Sequence, residues 1–96
     1  MPKGYIIGNV TVTDPEAYKA YVEGNTPILQ GRHDAKYLVR GGKSQVMEGE
    51  AHERHVVIEF PSYEAALAAY EDPDYQAVAE IRKRNADSVI VVVEGT

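Results

Sequence analysis

Cysteine and tryptophan are both missing from this 96-residue chain, and phenylalanine occurs once. Without cysteine there is no disulfide, no thiolate nucleophile and no Cys-based zinc site. A small chain lacking such staples draws its stability from packing or from a partner subunit. Basic clusters are also scarce. Ten Lys and Arg stand against fifteen Asp and Glu, a net charge of −5, and the densest basic run is Arg82-Lys83-Arg84. Binding to nucleic acid normally needs a basic face that replaces the counterions around phosphates, so no nucleic-acid partner is expected. No run approaches the roughly 20 apolar residues of a membrane helix, so no membrane partner is expected either. The opening Met1-Pro2-Lys3-Gly4-Tyr5 carries no leader or lipidation pattern, and the expected location is the cytoplasm.

What is present is ordinary globular material, 44% hydrophobic and 26% charged, in a length that suits one domain over residues 1–96. The β-branched and aromatic run from Lys3 to Thr13 predicts a strand. Asp14-Pro15-Glu16 then supplies an N-cap, a first-turn proline and a dipole-matched acid. The helix that follows shows Tyr18, Tyr21 and Val22 on one face. Gly24 or Gly31 should end it, with a kink or second turn at Pro27. Ala35 to Arg40 is a second strand; Gly41-Gly42 either turns it or bends it by a bulge into Ser44 to Glu48. Arg54 to Phe60 is the clearest later strand, stopped by Pro61. Ser62 caps a helix, Asp72-Pro73-Asp74 restarts it, and Tyr75, Val78, Ala79 and Arg82 share one face up to Asn85. Ser88 to Glu94 is the last strand.

The order β-α-β-β-α-β points to an α+β fold, the ferredoxin-like plait: a four-stranded antiparallel sheet with both helices on one face. The last strand is apolar on both sides, with Val89, Val91 and Val93 on one and Ile90 and Val92 on the other. Helices cover one face only, so a second copy of the chain is the economical cover, and a homodimer is expected. A carboxylate at Val91 or Val92 should be costly in either case, through the core at one position and the interface at the other.

Arg40-Gly41-Gly42, Glu48-Gly49, Ile58 to Ser62, Ala66 to Tyr70 and Pro73-x-Tyr75-Gln76 follow one another at short spacings. This series, over nearly the whole chain, resembles the small bacterial proteins grouped as domain of unknown function 1330. That family is similar in fold to the dimeric α/β-barrel superfamily, which includes cofactor-free monooxygenases and muconolactone isomerase. The resemblance implies fold and dimer more than activity, since one fold hosts many chemistries.

The residues themselves offer few chemical motifs. No serine sits in a strand–turn–helix nucleophile setting, and no cofactor motif occurs, so no cofactor is expected. His52-x-x-His55 has chelating spacing, yet reads better as solvated turn residues, and no metal is assigned. His55, Val57 and Glu59 alternate with Val56, Ile58 and Phe60; the second trio should face the helices and the first the open side. If the strand through Gly41-Gly42 pairs beside Arg54 to Phe60, Arg40, His55 and Glu59 share one environment. They are the candidate catalytic set, with His55 as general base and Arg40 steadying an enolate or carboxylate. Tyr18, Tyr37 and Glu48 are the candidate substrate-binding residues. The same charged groups serve equally as an ion-pair network fixing dimer register. The expected function is therefore binding of a small organic metabolite near the sheet by a cytoplasmic homodimer. The alternatives are a cofactor-independent monooxygenase or isomerase acting on an activated carbonyl or phenolic compound, and a non-catalytic dimeric module. A closed, well-shaped pocket holding two or more of Arg40, His55, Glu59 and Tyr18 would favour an enzyme.

Overall fold

The computed structural model describes residues 2–96. Seven elements follow in order: β1 (Gly4–Val12), α1 (Pro15–His33), β2 (Lys36–Arg40), β3 (Arg54–Phe60), α2 (Tyr63–Glu71), α3 (Pro73–Asn85) and β4 (Ala86–Glu94). The strands form one antiparallel sheet in the order β2-β3-β1-β4, as the plait requires. No helix among the described residues is long and apolar enough to cross a membrane.

All three N-caps predicted from the sequence form. Asp14 accepts the Ala17 N–H at 3.2 Å, Ser62 that of Ala65 at 3.0 Å, and Asp72 that of Asp74 at 2.9 Å. The helices bury one stripe each: Tyr18, Tyr21, Asn25 and Leu29 from α1, Ala66 and Ala69 from α2, and Tyr75, Ala79 and Arg82 from α3. These meet Ile6 and Val10 of β1 and Ile58 and Phe60 of β3 in a single core.

Two expectations are corrected. Helix α1 does not end at Gly24 or Gly31 but runs through Pro27 to His33, capped by Asp34 in the left-handed region (φ 56°). Pro27 and Gly31 both lie on the exposed side, where water serves a freed carbonyl, while the buried stripe holds the helix together through both. Residues Ser44 to Glu48 form no strand; the whole segment 41–53 is an exposed irregular loop. Gly41 closes β2 at a φ of +69°, its N–H donating to the His55 carbonyl at 2.9 Å.

The bulge in β2 falls earlier than Gly41-Gly42. Tyr37 pairs with Ile58, but Val39 pairs with Val57, so Leu38 is the extra residue. That single insertion inverts the parity of everything after it. Val39 joins the open face and Arg40 turns to the helix side, opposite Val56.

The end of α1 is tied to the α2–α3 junction by a polar cluster. Asp72 accepts from the His33 ring at 2.7 Å and from Arg32 at 2.8 Å. The His33 N–H, then the Asp74 backbone N–H and Arg32, hold the Asp72 carboxyl well below the usual carboxylate range, against the opposing effect of its burial. A depressed carboxyl contributes stability above its unfolded value and loses it as pH falls toward its folded one. The melting-temperature gap between wild type and Asp72→Asn should therefore be full at pH 6 and shrink from about pH 4 downward. A gap that stays constant to pH 2.5 would show that the cluster does not stabilise the fold electrostatically.

Candidate functional site: an arginine-lined cavity between helices and sheet

β1 is a central strand, and its core-facing row reads Ile6, Gly8, Val10. Glycine inside a central strand leaves a missing side chain. A Cβ on Gly8 would lie 3.8 Å from Val56 Cβ and only 3.3 Å from Ile90 Cδ1, so the glycine lets Ile90 pack down close to the strand. Beside this contact lies a cavity of about 40 Å³, floored by Ile6, Gly8, Val10, Val56, Ile58 and Ile90. At roughly 10–15 Å³ for one water-sized occupant, this holds a group of a few heavy atoms.

The remaining wall is polar and comes from the helices and the β2–β3 edge. Tyr18, Tyr21 and Asn25 project from α1, Tyr75 and Arg82 from α3, Tyr37 and Arg40 from β2, and Arg54 from β3. Tyr21 and Tyr75 share a hydroxyl–hydroxyl bond of 2.8 Å, and Tyr37 donates to Asn25 Oδ1 at 2.7 Å. Arg40 lies 4.1 Å above the Tyr37 ring and donates to Thr26 Oγ1 at 2.7 Å. Arg54 stands 5.9 Å from the Tyr18 ring and Arg82 5.5 Å from that of Tyr21.

Three guanidiniums thus meet at a cavity whose lining contains no carboxylate. Arg82 is only 3% exposed; one of its nitrogens donates to Ser88 Oγ, while Nε and Nη2 are buried without a hydrogen-bond partner among the described residues. Arg54 Nε is buried in the same condition. The tyrosines supply no countercharge. Burial raises the pKa of Tyr18, an effect that the Arg54 and Arg82 charges only partly oppose, and it pushes Tyr21 well above its ordinary value, with Tyr75 adding to the rise. Burial likewise raises Tyr37. At neutral pH these are neutral hydroxyls beside permanent cations.

The residues expected from the sequence divide between two faces. Tyr18, Tyr37 and Arg40 line the cavity. His55 and Glu59 lie on the open face opposite Asn9 and Tyr5, where His55 Nδ1 is 2.8 Å from Asn9 Oδ1 and Tyr5 donates to Glu59 at 3.2 Å. Arg40 therefore does not share their environment; the Leu38 bulge is the reason. Glu48 lies in the exposed loop and is not part of the cavity lining. His52 bonds Thr11 Oγ1 through Nδ1 at 2.9 Å, and among the described residues no three metal-ligating side chains converge. Arg54, Arg82 and Gly8 were not singled out from the sequence as functional. Their signals were an arginine on the core face of a helix and a glycine at a core-facing strand position.

On the open face, Val39, Val57, Ile7 and Val91 stand opposite one another across all four strands, an unbroken apolar row. Val89 and Val93 extend it along β4, and Val89 is 51% exposed.

A four-stranded antiparallel sheet in this order with its helices on one face is a ferredoxin-like α+β domain. The chain belongs to the family described as domain of unknown function DUF1330, whose model matches residues 3–96. Among curated proteins, no match was found. A Rhodopseudomonas palustris protein of unknown function is similar in structure, with a TM-score of 0.77 at 21% identity over 99% of this chain and 83% of that one. A dimeric ferredoxin-like protein of unknown function from Thermobifida fusca gives 0.64 at 14% identity, covering 97% and 91%. SnoaB, a cofactor-independent oxygenase from Streptomyces nogalater, gives 0.63 at 11% identity, covering 100% and 95%.

Proposed function

We propose that this protein binds a small organic molecule in the cavity between its helices and sheet, as a homodimer in the cytoplasm. The observation that carries the reading is the cavity beside Gly8, walled by polar groups whose donors are not used up inside the fold. Buried polar groups are normally satisfied, and those that are not call for an explanation. Tyr18, Tyr37 and Arg40 are proposed as ligand-contacting residues. Dimerisation is supported by the apolar row from Val39 to Val91, which helices leave uncovered, and a structural relative of the same fold is described as dimeric. His55 and Glu59 then belong to the dimer face.

Binding is favoured over proton-transfer catalysis by the lining itself. The cavity holds two of the four residues that would favour an enzyme, Arg40 and Tyr18, but no Asp, Glu or His to act as general base. The fold shared with an oxygenase at 11% identity does not transfer that activity.

The test is a melting-temperature screen of small acidic, phenolic and neutral compounds against wild type and Gly8→Leu. A ligand present at 100 times its dissociation constant should raise the wild-type melting temperature by about 10 °C or more. The same ligand should do nothing for Gly8→Leu, whose new side chain fills the space. Equal shifts in both proteins would place binding elsewhere and end the proposal.

A further inference from the structure

The chemistry of the cavity wall narrows the occupant. Its unpartnered groups are all donors: Nε and Nη2 of Arg82 and Nε of Arg54. No acceptor in the lining carries a charge, because the nearby tyrosines keep their protons at neutral pH. Arg54 stands 5.9 Å from the Tyr18 ring and Arg82 5.5 Å from the Tyr21 ring, and the two ring centres are 5.4 Å apart, so both cations border the same side of the cavity. A buried charge left without a countercharge is costly, and folds that retain one do so with a partner. The rest of the chain argues the same way by contrast: with a net charge of −5 it repels anions on average, yet three cations and no acid line this one cavity.

We propose that the ligand is a small organic carboxylate, its two oxygens held by Arg82 and Arg54 and its carbon skeleton resting on the apolar floor. The inference rests on the reading of the cavity as a ligand site. The planar guanidinium fork matches a carboxylate in two-point hydrogen bonding, and such charge-assisted bonds are roughly twice as strong as neutral ones. Space for only a few heavy atoms suits a carboxylate head group. Ile6, Val10 and Ile90 offer the remainder of the ligand an apolar surface.

Acetate and pyruvate serve as probes, acetamide as the uncharged match to acetate, and inorganic phosphate as the control anion. Calorimetric titration of the full chain should give binding of at least one carboxylate, with acetamide and phosphate each weaker by about 10-fold or more. Arg82→Met should weaken the carboxylate by about 10- to 100-fold. It should melt at the same temperature as wild type or higher, since it removes a buried unpaired charge; a merely structural arginine would instead lower it. Arg54→Gln, at a half-exposed position, should show the same binding loss and covers the case in which Arg82→Met fails to fold. Acetamide binding as tightly as acetate, with Gly8→Leu abolishing both, would overturn the carboxylate and leave the cavity reading standing. Phosphate binding as tightly as the carboxylates would likewise replace the carboxylate with anions in general. If no compound, charged or neutral, binds wild type, both readings fall together.

Discussion

Val91→Glu is expected to turn the proposed homodimer into a folded monomer. Val91 is 45% exposed in the single chain and sits in the apolar row that crosses the open face of the sheet. In a twofold interface each substitution occurs twice, so two carboxylates would be buried without partners. At a cost of at least about 3 kcal/mol each, the dimer would weaken by about 6 kcal/mol, a factor of more than ~10,000. Light scattering at micromolar concentration should give one chain mass for the variant and two for wild type. The neighbouring Val92 supplies the contrast: it pairs opposite core residue Ile6 and packs against the core, so Val92→Glu should damage the fold itself. A wild-type monomer, or a Val91→Glu dimer as tight as wild type, would remove the interface from the open face.

Phe60→Ala should be the most damaging truncation in the core. Phe60, the single phenylalanine of the chain, closes β3 beside Gly4 and is 1% exposed. Losing a buried aromatic ring and leaving its cavity costs about 3–5 kcal/mol. Against a total stability of about 5–15 kcal/mol, that is a large share. For a domain of this size the melting temperature should fall by roughly 15–30 °C, readable by circular dichroism. A loss below about 5 °C would mean that the helices reclose over the gap, and that the core is looser than its packing indicates.

The two positions also mark how far periodicity alone reaches. Alternation along Arg54 to Phe60 was enough to separate core from open face, because side chains in a regular strand must alternate and only one face can sit under helices. Along Ser88 to Glu94 both sets are apolar, and only pairing with β1 shows that the set with Val92 is the one packed on the core. The caps at Asp14, Ser62 and Asp72 were equally legible, since a cap is a local bargain between a short side chain and the amides of the next turn. Helix α1 was readable at its start and misleading at its end: Pro27 and Gly31 weaken a helix locally, but its buried stripe from Tyr18 to Leu29 belongs to the tertiary structure.

The candidate site lay beyond local reasoning. Arg40 was expected beside His55 and Glu59 because β2 was read as unbroken, and one extra residue at Leu38 carries it to the other side of the sheet. A bulge leaves no compulsory mark in composition, so its position is fixed only when β2 docks on β3. Arg82 was visible on the apolar face of its helix, but nothing along the chain says that Arg54 and the cavity beside Gly8 meet it there. By itself the sequence determined the plait, the caps and a sheet apolar on both sides, all consequences of short-range periodicity and backbone preference. Which faces its arginines occupy, and that three of them gather around a cavity with no acid in its wall, only the tertiary structure decided, because charge convergence depends on strand register and helix docking between residues 14 to 42 positions apart.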